Sequence, residues 1–287
     1  MKIAVVTDST SYLPEELIQK YDIRVVPIPF ILNEKTYEEG VDITTEEFYS
    51  LLAQSPELPS TSQPPLGEMI SLYEDLRDEG YEAVISIHLA ATISGLVGNL
   101  QNIASQIEGI KVIPYDSGIT VRLMGELAVA AAQDAAKGMD IDSIVAHLDE
   151  LRSTVDEYFL VDDLQNLVKG GRLSNASAFI GTMLKIKPIL TFDDDTNKIV
   201  AFDKVRSMKR AKKRVESLFI EQLEKTDYPV HLFVIHANNE KAASEWRDSL
   251  QEQFPNLRIS VTYFGPVIGC HLGEKAMALG WMRDIEE

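Results

Sequence analysis

The stretch VISIHLAATISGLVGNLQNIA, residues 84–104, decides the fold. Val84, Ile85, Ile87 and Leu89 form an apolar run that reads as a buried strand. A short polar break from Ala90 to Gly95 follows, and then Leu96, Leu100, Ile103 and Ile107 recur at helical spacing. Ser94 and Gly95 therefore stand where a strand hands over to a helix. Backbone N–H groups at a helix start lack intrahelical partners, and the positive end of the helix dipole faces outward, which suits an anion. In open α/β sheets ligands gather at such strand ends. The plainer reading makes Ser94 an N-cap and nothing more.

Upstream, Lys2 to Val6 reads as a central parallel strand that ends in Thr7-Asp8-Ser9-Thr10-Ser11, and Pro14 opens a helix to about Lys20. Ile23 to Phe30 is strand-like but broken by Pro27 and Pro29, and Asn33 to Glu39 reads as a hairpin or an excursion. Asp42 to Gln54 is an amphipathic helix with a Thr44/Glu47 capping box. Residues 55–67 are loop, and helix resumes from Leu66 to Glu79. Downstream, Lys111 to Tyr115 is a further strand ending in Asp116-Ser117. Ala-rich helix follows over Met124–Lys137, and then a helix capped by Asp140 or Asp142. Strand and helix thus alternate over 1–156, which predicts an N-terminal parallel-sheet α/β domain. Asp8-Ser9, Ser94 and Asp116-Ser117 would make its polar rim.

Residues 157–287 have another texture. Strands at Tyr158–Val161, Pro188–Phe192, Ile199–Val205, Val230–His236 and Leu257–Phe264 are mixed with helices at 164–168, 176–184, 207–225 and 239–254. The chain closes over Gly265–Trp281, expected to be helical from about Gly273. This pattern predicts a C-terminal α+β domain, with the ligand between the two domains.

Composition narrows the function. Lys and Arg total 27 against 45 Asp and Glu, a net charge of −18, which disfavours nucleic acid and anionic membrane. The single cysteine, Cys270, excludes an internal disulfide and a cysteine metal cluster. The start reads as a strand rather than a signal peptide, and no apolar run nears the ~18 residues of a membrane span, so the cytoplasm is the expected location. His88, His147, His231 and His236 show no ligand spacing, and Asp193-Asp194-Asp195 lacks the rest of a calcium loop, so no metal is expected.

Three motifs offer anion chemistry. Ser60-Thr61-Ser62-Gln63-Pro64 sets three hydroxyls on a proline-stiffened loop. Lys169-Gly170-Gly171-Arg172 pairs glycines with a guanidinium suited to carboxylate or phosphate, without Walker spacing. Gly265 to Gly273 places His271 among small residues ahead of the expected last helix, whose dipole would help hold an anion. The plainer readings are a turn, a helix C-cap and a loop histidine. The basic run Ser207–Arg214, with Arg206 before it, is either a solvated helix face or a docking patch for an acidic partner.

Taken together, VVTDST (5–10), EEGVDITTEEFYSLL (38–52), TSQP (61–64), ISG (93–95), YDSG (115–118), VDDLQNLVKGGRLS (161–174), KIKPIL with KVRSMKRA (185–190 and 204–211) and GPVIGCHLG (265–273) resemble the DegV family, the FakB fatty-acid-binding proteins of Gram-positive bacteria. The resemblance implies a carrier for one long-chain fatty acid such as palmitate or oleate, its carboxylate between the domains and its tail in an apolar tunnel. By motif match, Thr61, Ser62, Ser94, Gly95, Arg172 and His271 would hold the carboxylate. A separate ATP-dependent kinase subunit, FakA, would phosphorylate it for phospholipid synthesis, with Arg206 meeting that kinase. The resemblance implies no cofactor, no catalytic residue and no turnover alone, and is compatible with transient membrane contact. Two departures stand out: Leu96 replaces the family's usual Thr after Ser94-Gly95, and Leu272 separates His271 from Gly273-Glu274. The competing reading is a serine acyl hydrolase with Ser94 as nucleophile, His271 as base and Asp8 or Asp116 as orienter. The nucleophile-elbow pattern is absent, since Thr92 and Leu96 stand where glycines belong. A transcriptional regulator finds no helix-turn-helix and faces the −18 charge.

Overall fold

The computed structural model describes residues 1–162, 164–179 and 186–286. In chain order its elements are β1 (Ile3–Asp8), α1 (Glu15–Tyr21), β2 (Arg24–Val26), β3 (Pro29–Leu32), β4 (Lys35–Glu38), α2 (Thr45–Gln54), β5 (Ser60–Thr61), α3 (Leu66–Asp78), β6 (Ala83–His88), α4 (Leu96–Ala104), β7 (Lys111–Asp116), α5 (Val121–Ala136) and α6 (Ile141–Arg152). There follow β8 (Asp156–Leu160), α7 (Gln165–Lys169), β9 (Lys187–Phe192), β10 (Ile199–Val205), α8 (Met208–Leu223), β11 (Val230–His236), α9 (Glu240–Gln253), β12 (Arg258–Tyr263), α10 (Pro266–Leu272) and β13 (Met277–Arg283).

By packing, the chain divides into two units. One comprises Met1–Pro29, Tyr37–Asp42 and Thr61–Ser153; the other takes Phe30–Thr36, Ile43–Ser60 and the chain from Thr154 onward. The expected division at 156 left residues 30–36 and 43–60 with the N-terminal half. Their place in the second unit has a physical cause in α2. Tyr49 Oη donates to Phe264 O at 2.8 Å, and Phe48, fully buried, meets Phe30 and Tyr49 edge-on.

The first unit is the expected parallel α/β sheet, ordered β2-β1-β6-β7 with every pair parallel. β1 and β6 are buried at every position, as inner strands covered on both faces must be. α5 packs on β1 and β6, and α6 packs on α5. Thr7 pairs with Ile87 and His88 with Asp116, so Asp8, His88 and Asp116 end three adjacent strands at one edge.

A buried polar chain stands beneath that edge. Asp8 Oδ2 lies 3.0 Å from His88 Nδ1, His88 Nε2 lies 2.7 Å from Ser86 Oγ, and Ser86 Oγ lies 2.8 Å from Tyr73 Oη. All four residues are fully buried, and burial pushes the Tyr73 phenol up to about 12. The Asp-His-Ser order resembles a nucleophile triad, but a sealed Ser86 meets no substrate. Its role is to tie β1, β6 and α3 together.

The hairpin expected at Asn33–Glu39 is present as β3–β4. Asn33 and Glu34 both have positive φ, the signature of a tight primed turn, and the three-stranded order is β4-β3-β5. Thr44 and Glu47 form the expected capping box on α2, and Asp140 is the cap of α6.

In the second unit six strands run β10-β9-β8-β13-β11-β12; β11 and β12 are parallel and the other pairs antiparallel. α8 and α9 supply Val215, Phe219, Trp246 and Leu250 to a core with Leu232, Val234, Leu279 and Trp281 of the sheet. Strand alternation sends Phe159, Leu190, Phe233 and Ile235 to the opposite face, where they too are buried.

Two expectations change here. The closing segment is not helical from Gly273. The helix, α10, ends before Gly273, whose φ of 74° breaks it, and Met277–Arg283 is a strand between β8 and β11. A strand buried on both faces is apolar throughout, and in sequence that looks like a buried helix. The helix expected over 176–184 starts as a 3-10 turn, Ala176–Phe179, and its remainder lies outside the described residues, as do Asp163 and Lys185 of the family motifs. Ser174 and Asn175 clip β10: Ser174 Oγ donates to Ile199 O, and Asn175 exchanges two bonds with Ala201.

A Cβ on Gly269 would lie 2.7 Å from Tyr49 Oη and 2.8 Å from Phe48. Gly269→Ala is therefore expected to destabilise the fold by about 1–3 kcal/mol through overpacking of α10 on α2, read as a lowered urea midpoint at constant slope.

Candidate functional site

The first unit resumes at Thr61, the second residue of β5, and Ser62 N donates to Pro29 O at 3.0 Å. Thr61 is half-buried and Ser62 exposed. Pro65 then serves as the N-cap of α3, so the hydroxyl loop is held at both ends. Gln63 laces it to the Ser94 turn: its side-chain oxygen accepts Asn99 Nδ2 at 2.6 Å, and its Nε2 stands 2.6 Å from where a Cβ on Gly95 would be. The structure thus brings Thr61 and Ser62 together with Ser94 and Gly95, through an amide bridge that passes over the glycine. Ser94 Oγ accepts Leu96 N at 3.3 Å, a long bond that leaves the hydroxyl proton to donate elsewhere. The N-cap of α4 is Gly95 rather than Ser94, so the plainer reading of Ser94 as that cap is corrected.

In the second unit, α7 ends at the Gly170-Gly171 pair. Gly171 has φ of 72°, and a Cβ on Gly170 would lie 2.7 Å from His271 Nδ1 and 2.9 Å from Asn166 O. The two glycines have different jobs: one turns the chain, the other lets α7 approach His271. Arg172 Nη1 donates to Gly170 O, and Asn166 Nδ2 donates to Cys270 O at 3.1 Å, which pins α7 to α10. Arg172 and His271 are thereby brought to one place.

Burial, and secondarily the charge of Arg172, push the His271 imidazole down to about 4. It is neutral at pH 7 and can donate from one ring nitrogen only, so Arg172 is the cation of this pair. The expected help from a helix dipole is corrected. His271 lies in the last turn of α10, at the negative end, because the helix precedes Gly273 instead of following it.

Asp8 is committed elsewhere. Its Oδ2 faces His88 and accepts Leu89 N, and its Oδ1 accepts both Thr10 N and Thr10 Oγ1. The imidazole that Asp8 orients is His88, which takes Asp8 out of the hydrolase arrangement. Asp116 Oδ1 accepts Ala91 N and Gly118 N. Two carboxylates of the expected polar rim thus hold backbone.

Arg206 is exposed, directly before Ser207, the N-cap of α8. The basic run of α8 is partly neutralised: Arg214 approaches Asp203 and Glu221 at 3.5 and 3.9 Å, and Lys212 sits over Trp246. Lys209, Arg210 and Lys213 remain exposed. Asp193 holds Thr196 in a turn, and among the described residues no group of three or more His, Cys, Asp or Glu could hold a metal ion. Among the described residues no helix is long and apolar enough to cross a membrane.

Fold and donors define a class: a two-unit α/β protein in which the first unit offers hydroxyls and the second a guanidinium and a neutral imidazole, all hydrogen-bond donors suited to an anion. The sequence matches the family described as "Uncharacterised protein, DegV family" over residues 2–284, and the chain belongs to that family. Protein DegV of Bacillus subtilis is 43% identical over 282 residues, covering 98% of this chain and 99% of that protein. A DegV domain-containing protein of Listeria innocua is 43% identical over 280 residues, 98% of each. Among solved structures, DegV of Bacillus subtilis, a fatty acid binding protein, superposes with a TM-score of 0.91 at 42% identity, covering 99% of this chain and 100% of that one. The fatty acid binding DegV family protein of Streptococcus agalactiae gives 0.92 at 38% identity, covering 99% of each.

Gln63 lies inside the hydroxyl motif without a role of its own there, and Asn99 lies outside every motif read from the sequence. The available signal was a polar Asn99 on an otherwise apolar first turn of α4. Gly95→Ala is expected to displace Gln63 and lose the bridge to Asn99, seen as faster hydrogen exchange at Ser62 and Gln63 with little change in global stability. For His271 the sign is set by linkage. Between its ordinary 6.5 and about 4, an unfolded chain takes up a proton that the fold refuses, so stability falls on acidification. His271→Gln is expected to lose less stability than the unmodified chain between pH 7 and pH 5, measured by chemical denaturation.

Proposed function

We propose that this protein binds a single long-chain fatty acid and presents its carboxylate to a separate ATP-dependent kinase subunit. The observation that carries the reading is the pair of fatty acid binding DegV structures at 42% and 38% identity, each matched over 99% of this chain. Thr61, Ser62 and Ser94 supply hydroxyl donors, Gly95 a backbone N–H, Arg172 the counter-charge and neutral His271 a further donor. Charge-assisted bonds of this kind contribute about 1.5–3 kcal/mol each. A 16-carbon tail buries roughly 14 methylenes, about 11 kcal/mol of transfer free energy at ~0.8 each before ordering costs. The tail therefore sets affinity, and the donors set orientation and leave the carboxyl facing a partner. The buried apolar face with Phe159, Leu190, Phe233 and Ile235 is suited to an acyl chain.

The kinase partner, a FakA-type subunit, completes the reading: it forms the acyl-phosphate for phospholipid synthesis, while this protein has no turnover alone. Arg206, exposed ahead of a helix with free lysines, is the proposed contact. A cytoplasmic location follows from that partnership.

Purified protein extracted with organic solvent is expected to release about one long-chain fatty acid per chain by mass spectrometry. Absence of lipid, with no uptake of added palmitate or oleate, overturns the carrier reading. With kinase subunit and ATP, acyl-phosphate trapped as hydroxamate is expected to need both proteins, and Arg206→Ala to lower its yield without changing palmitate affinity.

A further inference from the structure

We infer that Asp116 is a positioning residue for Ser94, acting through the backbone of the segment between β6 and α4. The inference rests on the proposed role of Ser94 in holding a carboxylate. That segment begins with three consecutive N–H groups, each taken by a different acceptor. Leu89 N donates to Asp8 Oδ2 at 3.1 Å, Ala90 N to Ile119 O at 2.8 Å, and Ala91 N to Asp116 Oδ1 at 3.0 Å. The peptide is thus gripped from the end of β1 on one side and from the exit of β7 on the other. Ile93 N and Ser94 N then both donate to Ala90 O, at 3.0 and 3.1 Å. Ser94 hangs from a residue whose own position is set by these neighbours.

Of the two carboxylates, Asp8 is buried and satisfies a fold-wide network, so its removal would report on folding. Asp116 is exposed, and the fold does not need it to neutralise a buried charge. The same Oδ1 also accepts Gly118 N at 2.9 Å, so one oxygen joins the β7 exit turn to the Ser94 segment. Arg152 Nη2 holds Gly118 O at 2.8 Å from the other side, which keeps that turn in place and leaves Asp116 to act on Ala91. A neutral amide oxygen can accept the same two bonds; a methyl group cannot. The role is geometric, and an asparagine should serve.

The test is a double-mutant cycle on palmitate affinity in the full chain. Asp116→Ala is expected to weaken binding ~5- to 30-fold, the effect of losing a hydrogen bond to a charged acceptor. In a Ser94→Ala background the same change should cost less than ~2-fold, because the group being positioned is gone. Asp116→Asn should stay within ~2-fold of the unmodified protein. A general structural role would instead give equal losses in both backgrounds with no rescue by asparagine, and that overturns the assignment. Unchanged affinity in Asp116→Ala, with Ser94→Ala clearly weakened, also overturns it and leaves the carrier reading intact. Unchanged affinity in Ser94→Ala removes Ser94 from the site and the assignment with it. Should Asp116→Ala fold poorly, Asp116→Ser retains a local acceptor for Gly118 N but is too short to reach Ala91. It carries the same expected loss and the same overturning outcomes.

Discussion

The structure depends on one buried carboxylate. Asp8 sits at the end of the innermost strand with no exposed surface, and a charge in that place is costly unless its lone pairs are filled. They are filled by the backbone and hydroxyl of Thr10, the imidazole of His88 and the N–H of Leu89. Those donors come from the exits of β1 and β6, so satisfying Asp8 locks two neighbouring loops in one arrangement. His88 passes the constraint inward to Ser86 and Tyr73, and Leu89 passes it outward to the segment bearing Ser94. The polar rim of this sheet is a device for holding backbone.

The second unit solves a related problem with glycine. Its two donors, Arg172 and His271, sit on elements that meet because Gly170 has no side chain and because Asn166 bonds the carbonyl of Cys270. Their closeness has an electrostatic consequence. Burial first, and then the cation beside it, keep the His271 imidazole neutral, so the pair presents one positive charge and one neutral donor. A single carboxylate matches that set, and a doubly charged phosphate matches it less well.

Much of this was legible in the chain. The parallel sheet, the hairpin at Asn33-Glu34, the Thr44/Glu47 capping box and the Gly-Gly-Arg and His motifs follow from periodicity and residue chemistry, which act over a few neighbours. The misread parts share a cause. Met277–Arg283 is apolar on both faces, and only its place between β8 and β11 makes it a strand. With the helix ahead of Gly273, His271 stands at the negative end of α10 rather than before a positive one. The grouping of 43–60 with the later part of the chain rests on Tyr49 reaching Phe264, a contact across more than two hundred residues that no local pattern announces.

The sequence by itself determined the fold class, the family and the kinds of donor available, because hydrophobic period, turn chemistry and side-chain identity are local properties. Tertiary structure alone decided what each polar group does. Asp8 and Asp116 turned from polar-rim residues and candidate orienters into backbone clamps, Gln63 joined Asn99 over Gly95, and His271 became neutral beside Arg172. Hydrogen-bond satisfaction and electrostatic coupling depend on which groups meet in space, and that is settled only when the strands have found their neighbours.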